Sequence, residues 1–111
     1  MGPERPPWAP SPLPCPCPYC QGMPHVMTTA DIEEIIESFA QAARRAKEAG
    51  FDAFEFHGAH GYLIAQFMSA YSNRRTDKYG GDLCSRMRFA LEILQASRLQ
   101  VGPDFPHHLP L

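Results

Sequence analysis

The densest chemistry in the chain lies in six consecutive residues, His57-Gly58-Ala59-His60-Gly61-Tyr62. Two imidazoles and one phenol supply three groups that donate or accept protons. Neutral imidazole N–H groups can hydrogen-bond a carbonyl oxygen and stabilise the enolate that forms when hydride adds to its conjugated double bond. A tyrosine hydroxyl can then give a proton to carbon. The H-x-x-H spacing also suits packing, capping or a metal ion. No third metal ligand is suggested nearby, because alternation along a strand sends Glu55 to the opposite side from Phe56.

These residues need a scaffold, and the flanking pattern supplies one. Residues 51–56 read as a short buried strand rich in Phe, after which Gly58 and Gly61 allow the chain to turn. Upstream, Thr28-x-x-Asp31 resembles a capping box with Asp in place of the usual Glu. Ile32, Ile35, Ile36, Phe39, Ala43 and Ala46 then recur at helical spacing. Charged residues cover the other face, acidic early and basic late as the helix dipole favours. Gly50 is a natural stop. Downstream, residues 62–68 predict one or two helical turns and 70–82 a polar loop. Leu83, Met87, Ala90, Leu91 and Leu94 mark a second amphipathic helix over 82–99, with Asp82 as N-cap and Gly102-Pro103 as its end. Residues 105–111 show no clear element, and no internal repeat is visible.

The chain has 111 residues and a net charge of -2, enough for one small domain and without a field that would draw nucleic acid or an anionic membrane. No apolar run approaches the roughly 18 residues of a membrane span. The first residues lack the apolar stretch of a secretory signal, so a cytoplasmic location is expected. Residues 1–24 hold nine of the twelve prolines. Proline fixes φ and removes a donor, so residues 1–26 are expected to be a disordered, polyproline-like leader. Residues 27–105 form the folded segment in this reading, and 106–111 an unstructured tail. Cys15, Cys17 and Cys20 have a metal-like spacing but lack the second ligand pair of a zinc site. They read as reduced thiols, with no metal assigned.

Several linked motifs then point to a family. His57-Gly-Ala-His-Gly-Tyr-Leu-Ile-Ala-Gln-Phe67, Ser72-Asn-Arg-Arg-Thr-Asp77, Tyr79-Gly-Gly81 and Arg86-Met-Arg-Phe89 resemble the old yellow enzyme family. Within it they are most similar to the NADH:flavin oxidoreductase and 2,4-dienoyl-CoA reductase-like branch. The resemblance runs from about Met27 to Phe105. It implies an α/β fold, a fragment of a (β/α)8 TIM barrel comprising its third helix, fourth strand, active-site loop and fourth helix. It implies FMN as cofactor, NAD(P)H as reductant and a small α,β-unsaturated carbonyl compound as substrate. His57 and His60 would bind the substrate's carbonyl or carboxyl oxygen, and Tyr62 would be the proton donor. Asn73, Arg74, Arg75, Asp77, Tyr79, Gly80 and Gly81 would form a structural clamp, with Arg75 paired to Asp77 and with Arg86 and Arg88 as anchors.

The sequence departs from the family at Ala70, where Pro is usual, and at Cys84-Ser85, where Glu-Asn is usual. Phe54 and Phe56 replace smaller aliphatics, and overpacking of that kind costs about 1–3 kcal/mol. The Pro-rich leader and the His107-His108 tail look foreign to the family. The strands expected to cradle the flavin would lie outside this stretch, so a partial barrel is expected, with homo-oligomers among full-length members. Two other readings are a non-catalytic interaction module using the proline arm, and a small metal-binding protein built on the cysteine cluster.

Overall fold

The longest helix starts where the chain can satisfy its own first N–H groups. Thr28 Oγ1 accepts from the Asp31 amide at 3.1 Å, and Asp31 Oδ2 accepts from the Thr28 amide at 3.0 Å. This is the reciprocal capping box that the sequence predicts. A computed structural model describes residues 7–13, 23–56 and 63–108. Its elements are β1 (Trp8–Ala9), β2 (His25–Val26), α1 (Thr29–Glu48), β3 (Phe54–Glu55), α2 (Leu63–Met68), α3 (Leu83–Val101) and β4 (His107–His108). Gly50 ends α1 with φ +93°, and Gly102 ends α3 with φ +90°, a backbone region that favours glycine. Lys47 joins the two helix ends by donating to Val101 O at 2.6 Å.

The helices stack around one apolar core. α1 packs on α3, and α2 packs on α3. Met27, Ile32, Phe56, Ile64, Phe67, Tyr79, Phe89, Ala90 and Ile93 fill the space between them. The Phe67 and Phe89 rings lie 4.3 Å apart. Phe54 and Phe56, larger than the family's usual aliphatics, find aromatic neighbours. Phe56 meets Phe39 edge-on at 5.5 Å and Phe54 at 5.2 Å, and Phe54 stacks on Phe105 at 5.6 Å. Aromatic pairs of this geometry add about 0.5–1.5 kcal/mol beyond their area burial.

The inward stripe of α3 differs from the expected one. Phe89, Ala90, Ile93, Ser97 and Val101 are buried, whereas Leu83 is 60% and Leu91 50% exposed. α3 carries apolar residues on more than one face, and the four-residue step from Phe89 through Ile93, Ser97 and Val101 is the one that meets α1 and α2.

Two strand pairs correct the reading of the ends. β1 pairs parallel with β2, Trp8 opposite His25 and Ala9 opposite Val26. β3 pairs parallel with β4, Phe54 opposite His107 and Glu55 opposite His108. The described residues 7–13 and 23–26 are therefore not a structureless leader, and 107–108 are not an unstructured tail. β3 thus has a partner within the chain. The physical reason is that proline loses its N–H but keeps its carbonyl. Pro7 O accepts from the His25 amide at 2.8 Å, and Pro106 O from the Phe54 amide at 3.3 Å. Each proline sits beside the paired residues rather than among them. Among the described residues no helix is long and apolar enough to cross a membrane.

Thr28→Ala is expected to lower stability by about 0.5–2 kcal/mol, the usual cost of losing an N-cap. A urea titration followed by helical circular dichroism measures it.

Candidate active site

The stretch that carries His57, His60 and Tyr62 lies outside the described residues. What the structure shows is how its two flanks are held. On one side β3 leads into it. On the other side α2 begins at Leu63, one peptide bond after Tyr62.

α2 has only six residues, too few to be stable alone. Its last carbonyls would be orphaned without partners. The following loop and the first turns of α3 supply partners for the last three. Ser72 Oγ donates to Gln66 O at 2.7 Å, the Asn73 side-chain amide to Phe67 O at 2.6 Å, and Arg86 Nε to Met68 O at 2.9 Å. Asn73, 4% exposed, also donates to Tyr79 O at 2.8 Å, and its Oδ1 accepts from the Arg75 amide at 3.1 Å. One buried amide thus ties α2 to both limbs of the loop.

Arg75 is the second knot. Its side chain is 8% exposed and grips Asp77 with two donors. Nη1 donates to Pro10 O at 3.0 Å and to Met27 O at 2.5 Å. The guanidinium lies 5.9 Å from the centre of the Phe67 ring. Ser11 adds a further tie, its buried Oγ accepting from the Arg74 amide at 2.6 Å. Arg86 also reaches Gly81 O at 2.6 Å, and Arg88 reaches Lys78 O at 2.9 Å. The expected clamp is therefore present, including the Arg75–Asp77 pair and both anchors. At the changed Cys84-Ser85 position the helix start is still closed, because Asp82 Oδ1 accepts from the Ser85 amide at 2.8 Å. Sequence reasoning missed the roles of Pro10, Ser11 and Met27. A backbone carbonyl that accepts a distant guanidinium leaves no mark on residue type. It also missed Glu92, which accepts from the buried Tyr79 hydroxyl at 2.9 and 3.0 Å. Burial and the Glu92 hydrogen bond push the Tyr79 phenol well above its ordinary range, so it stays protonated.

Glycine is required at one close approach. A Cβ on Gly80 would lie 2.4 Å from Arg75 O and 2.6 Å from Arg75 Cβ.

A flavin needs a cradle for its phosphate. Phosphates favour free N–H groups at helix N-termini. The α1 terminus is closed by Thr28 and Asp31, and the α3 terminus by Asp82. A cleft of about 450 Å³ lies beside Ala53, Glu55 and residues 103–106, mostly at the entry ends of β3 and β4 rather than where the chain leaves for residue 57. These residues do not fit as a cradle for FMN. Among the described residues no group of three or more His, Cys, Asp or Glu is placed to hold a metal. Cys84 is a free, exposed thiol, and Cys15, Cys17 and Cys20 lie outside the described residues.

A sequence model of the NADH:flavin oxidoreductase / NADH oxidase family matches residues 7–109. The chain belongs to that family. The match is wider at both ends than the 27–105 expected from motifs, and it takes in described parts of the proline-rich arm and β4. The chain is 55% identical over 100 residues to NADH oxidase of Thermoanaerobacter brockii, covering 90% of this chain and 15% of that protein. It is 61% identical over 83 residues to NADPH dehydrogenase of Geobacillus sp. (strain WCH70), covering 74% of this chain and 24% of that protein. The structure superposes on morphinone reductase in complex with tetrahydroNAD with a TM-score of 0.87 at 36% identity, covering 95% of this chain and 32% of that one. The chain thus spans about a quarter or less of the length of the curated relatives it matches. Members of this old yellow enzyme family are oxidoreductases that use FMN and NAD(P)H on small molecules, and the fold here is a segment of their (β/α)8 barrel.

Two tests follow from the clamp. Gly80→Ala forces either the Arg75 backbone or the turn to move, and a loss of roughly 1–3 kcal/mol is expected in urea unfolding. The second concerns pH. The Arg75 guanidinium holds the Asp77 carboxyl below its ordinary value. A carboxyl depressed in the folded state contributes stability above the unfolded value of about 3.9, lost as pH falls through the folded value. The urea midpoint should therefore fall below about pH 4, and less steeply in Asp77→Asn.

Proposed function

We propose that this chain is the substrate-binding and proton-donating segment of an FMN-dependent NAD(P)H oxidoreductase of the ene-reductase type, acting in the cytoplasm on small α,β-unsaturated carbonyl compounds. The observation that carries the reading is family membership over residues 7–109, together with the H-x-x-H-x-Tyr stretch that directly follows β3. In barrels of this class the chemistry sits at the C-terminal ends of strands and in the loops that follow them. Relatives fit the substrate class: a 12-oxophytodienoate reductase of Arabidopsis thaliana is 52% identical over 81 residues. A chanoclavine-I aldehyde reductase of Penicillium roqueforti is 49% identical over 87 residues.

FMN reduced by NAD(P)H supplies the hydride in such enzymes. The roles of this chain are separate from that cofactor. His57 and His60 hydrogen-bond the carbonyl oxygen of the substrate. Two such N–H groups would stabilise negative charge that develops on that oxygen. Tyr62 would hold a hydroxyl proton for the α-carbon.

The test is a complete FMN-loaded barrel that carries this segment, assayed for NAD(P)H-dependent reduction of 2-cyclohexenone. Tyr62→Phe is expected to lower turnover by about 10²–10⁴-fold, the usual contribution of a positioned proton donor. His57→Ala should weaken binding of the enone as well as its turnover. Parent-like turnover in Tyr62→Phe would remove the tyrosine from the mechanism.

A further inference from the structure

We propose that Arg75 is a positioning residue for the His57–Tyr62 stretch, acting through α2. The proposal rests on the functional reading of that stretch. The side chain joins chain segments that are far apart in sequence. One guanidinium binds Asp77 in its own loop, Pro10 O after β1 and Met27 O before α1. An ion pair alone would stabilise the loop. Bonds from the same planar group to one carbonyl of the arm and one at the start of α1 do more, because they set the arm, the helix start and the loop at one fixed separation.

α2 is gripped from the same place. The guanidinium carbon lies 5.9 Å from the centre of the Phe67 ring, and the Arg75 backbone amide holds Asn73 Oδ1, whose own side-chain amide caps Phe67 O. Gly80 allows this backbone to be approached at a distance that no side chain would permit. α2 is too short to be rigid by itself, and Asn73 joins this grip to the burial of Ile64 and Phe67; its first residue follows Tyr62 directly. A displacement of α2 therefore passes to Tyr62 across a single peptide bond. Reacting groups need placement within fractions of an ångström, so a group that never meets substrate can still govern turnover.

Lysine cannot replace this arrangement. An ammonium is a compact charge on a flexible stem and does not reproduce a planar fork that serves Asp77 and two carbonyls together. Methionine retains an unbranched apolar stem and removes every side-chain donor.

The test is amide hydrogen exchange of the whole chain, read by mass spectrometry. Arg75→Met is expected to speed exchange about tenfold or more in peptides spanning 7–13 and 57–68, while peptides from the middle of α1 and α3 stay at the parent rate. Arg75→Lys is expected to keep most of that increase. Asp77→Asn, which leaves the guanidinium in place with a weaker partner, should show the same pattern at smaller amplitude if Arg75→Met proves too unstable to purify. Equal acceleration throughout α1 and α3 would make Arg75 a general stability residue and overturn the proposal. So would unchanged exchange over 57–68, or parent rates in Arg75→Lys. These readouts need no turnover. A failed Tyr62→Phe assay with the expected exchange pattern would overturn the catalytic reading and leave the positioning role standing.

Discussion

The described structure depends on one guanidinium held away from water. Arg75 satisfies its donors on a carboxylate and on two carbonyls that would otherwise need partners of their own. A buried cation is costly unless it is paired and hydrogen-bonded, so the site is stable only with all its partners in place. The arm, the loop and α2 are therefore not independent pieces. Each is ordered by a group that the others also hold.

That constraint explains how the unpromising sequence after Tyr62 folds. α2 is short, and the loop after it is polar and glycine-bearing. Neither would persist by propensity. Order comes instead from polar side chains turned onto backbone carbonyls: Ser72, Asn73 and Arg86 on α2, Arg88 on Lys78, Arg75 on the arm. The apolar core beneath is ordinary, a helix pair and an aromatic cluster. The specificity of the arrangement lies in the hydrogen bonds above it.

The parts legible in the sequence were those with a local cause. The Thr28–Asp31 capping box, the Asp82 cap, Gly50 and the helical spacing from Ile32 onward all act within a few residues of themselves. The Arg75–Asp77 pair is two residues apart and was legible for the same reason. Three features were not. The burial phase of α3 depends on what packs against it, and Leu91 and Ile93 look alike until α1 is in place. The pairing of Trp8 with His25 and of Phe54 with His107 depends on carbonyls of neighbouring prolines, which residue type discourages one from counting. The use of Pro10 O and Met27 O by Arg75 involves backbone atoms common to every residue. For the site itself, residue types and order carried the reading of His57, His60 and Tyr62, and the structure adds the anchorage of the chain that follows them.

Both strand pairs are parallel, and each closes over a large stretch of chain. β1 meets β2 across the cysteine-bearing segment, and β3 meets β4 only after α2, the loop and all of α3 have intervened. Parallel pairing cannot be reached by a hairpin, and long closures are entropically late. The α1–α3 contact is equally remote in sequence, Lys47 reaching Val101 across 54 positions, so the helix pair and the β3–β4 pair close much the same loop. The strand that leads toward His57 therefore shares its closure cost with the helix pair that packs beside it, and one long loop closure serves both contacts.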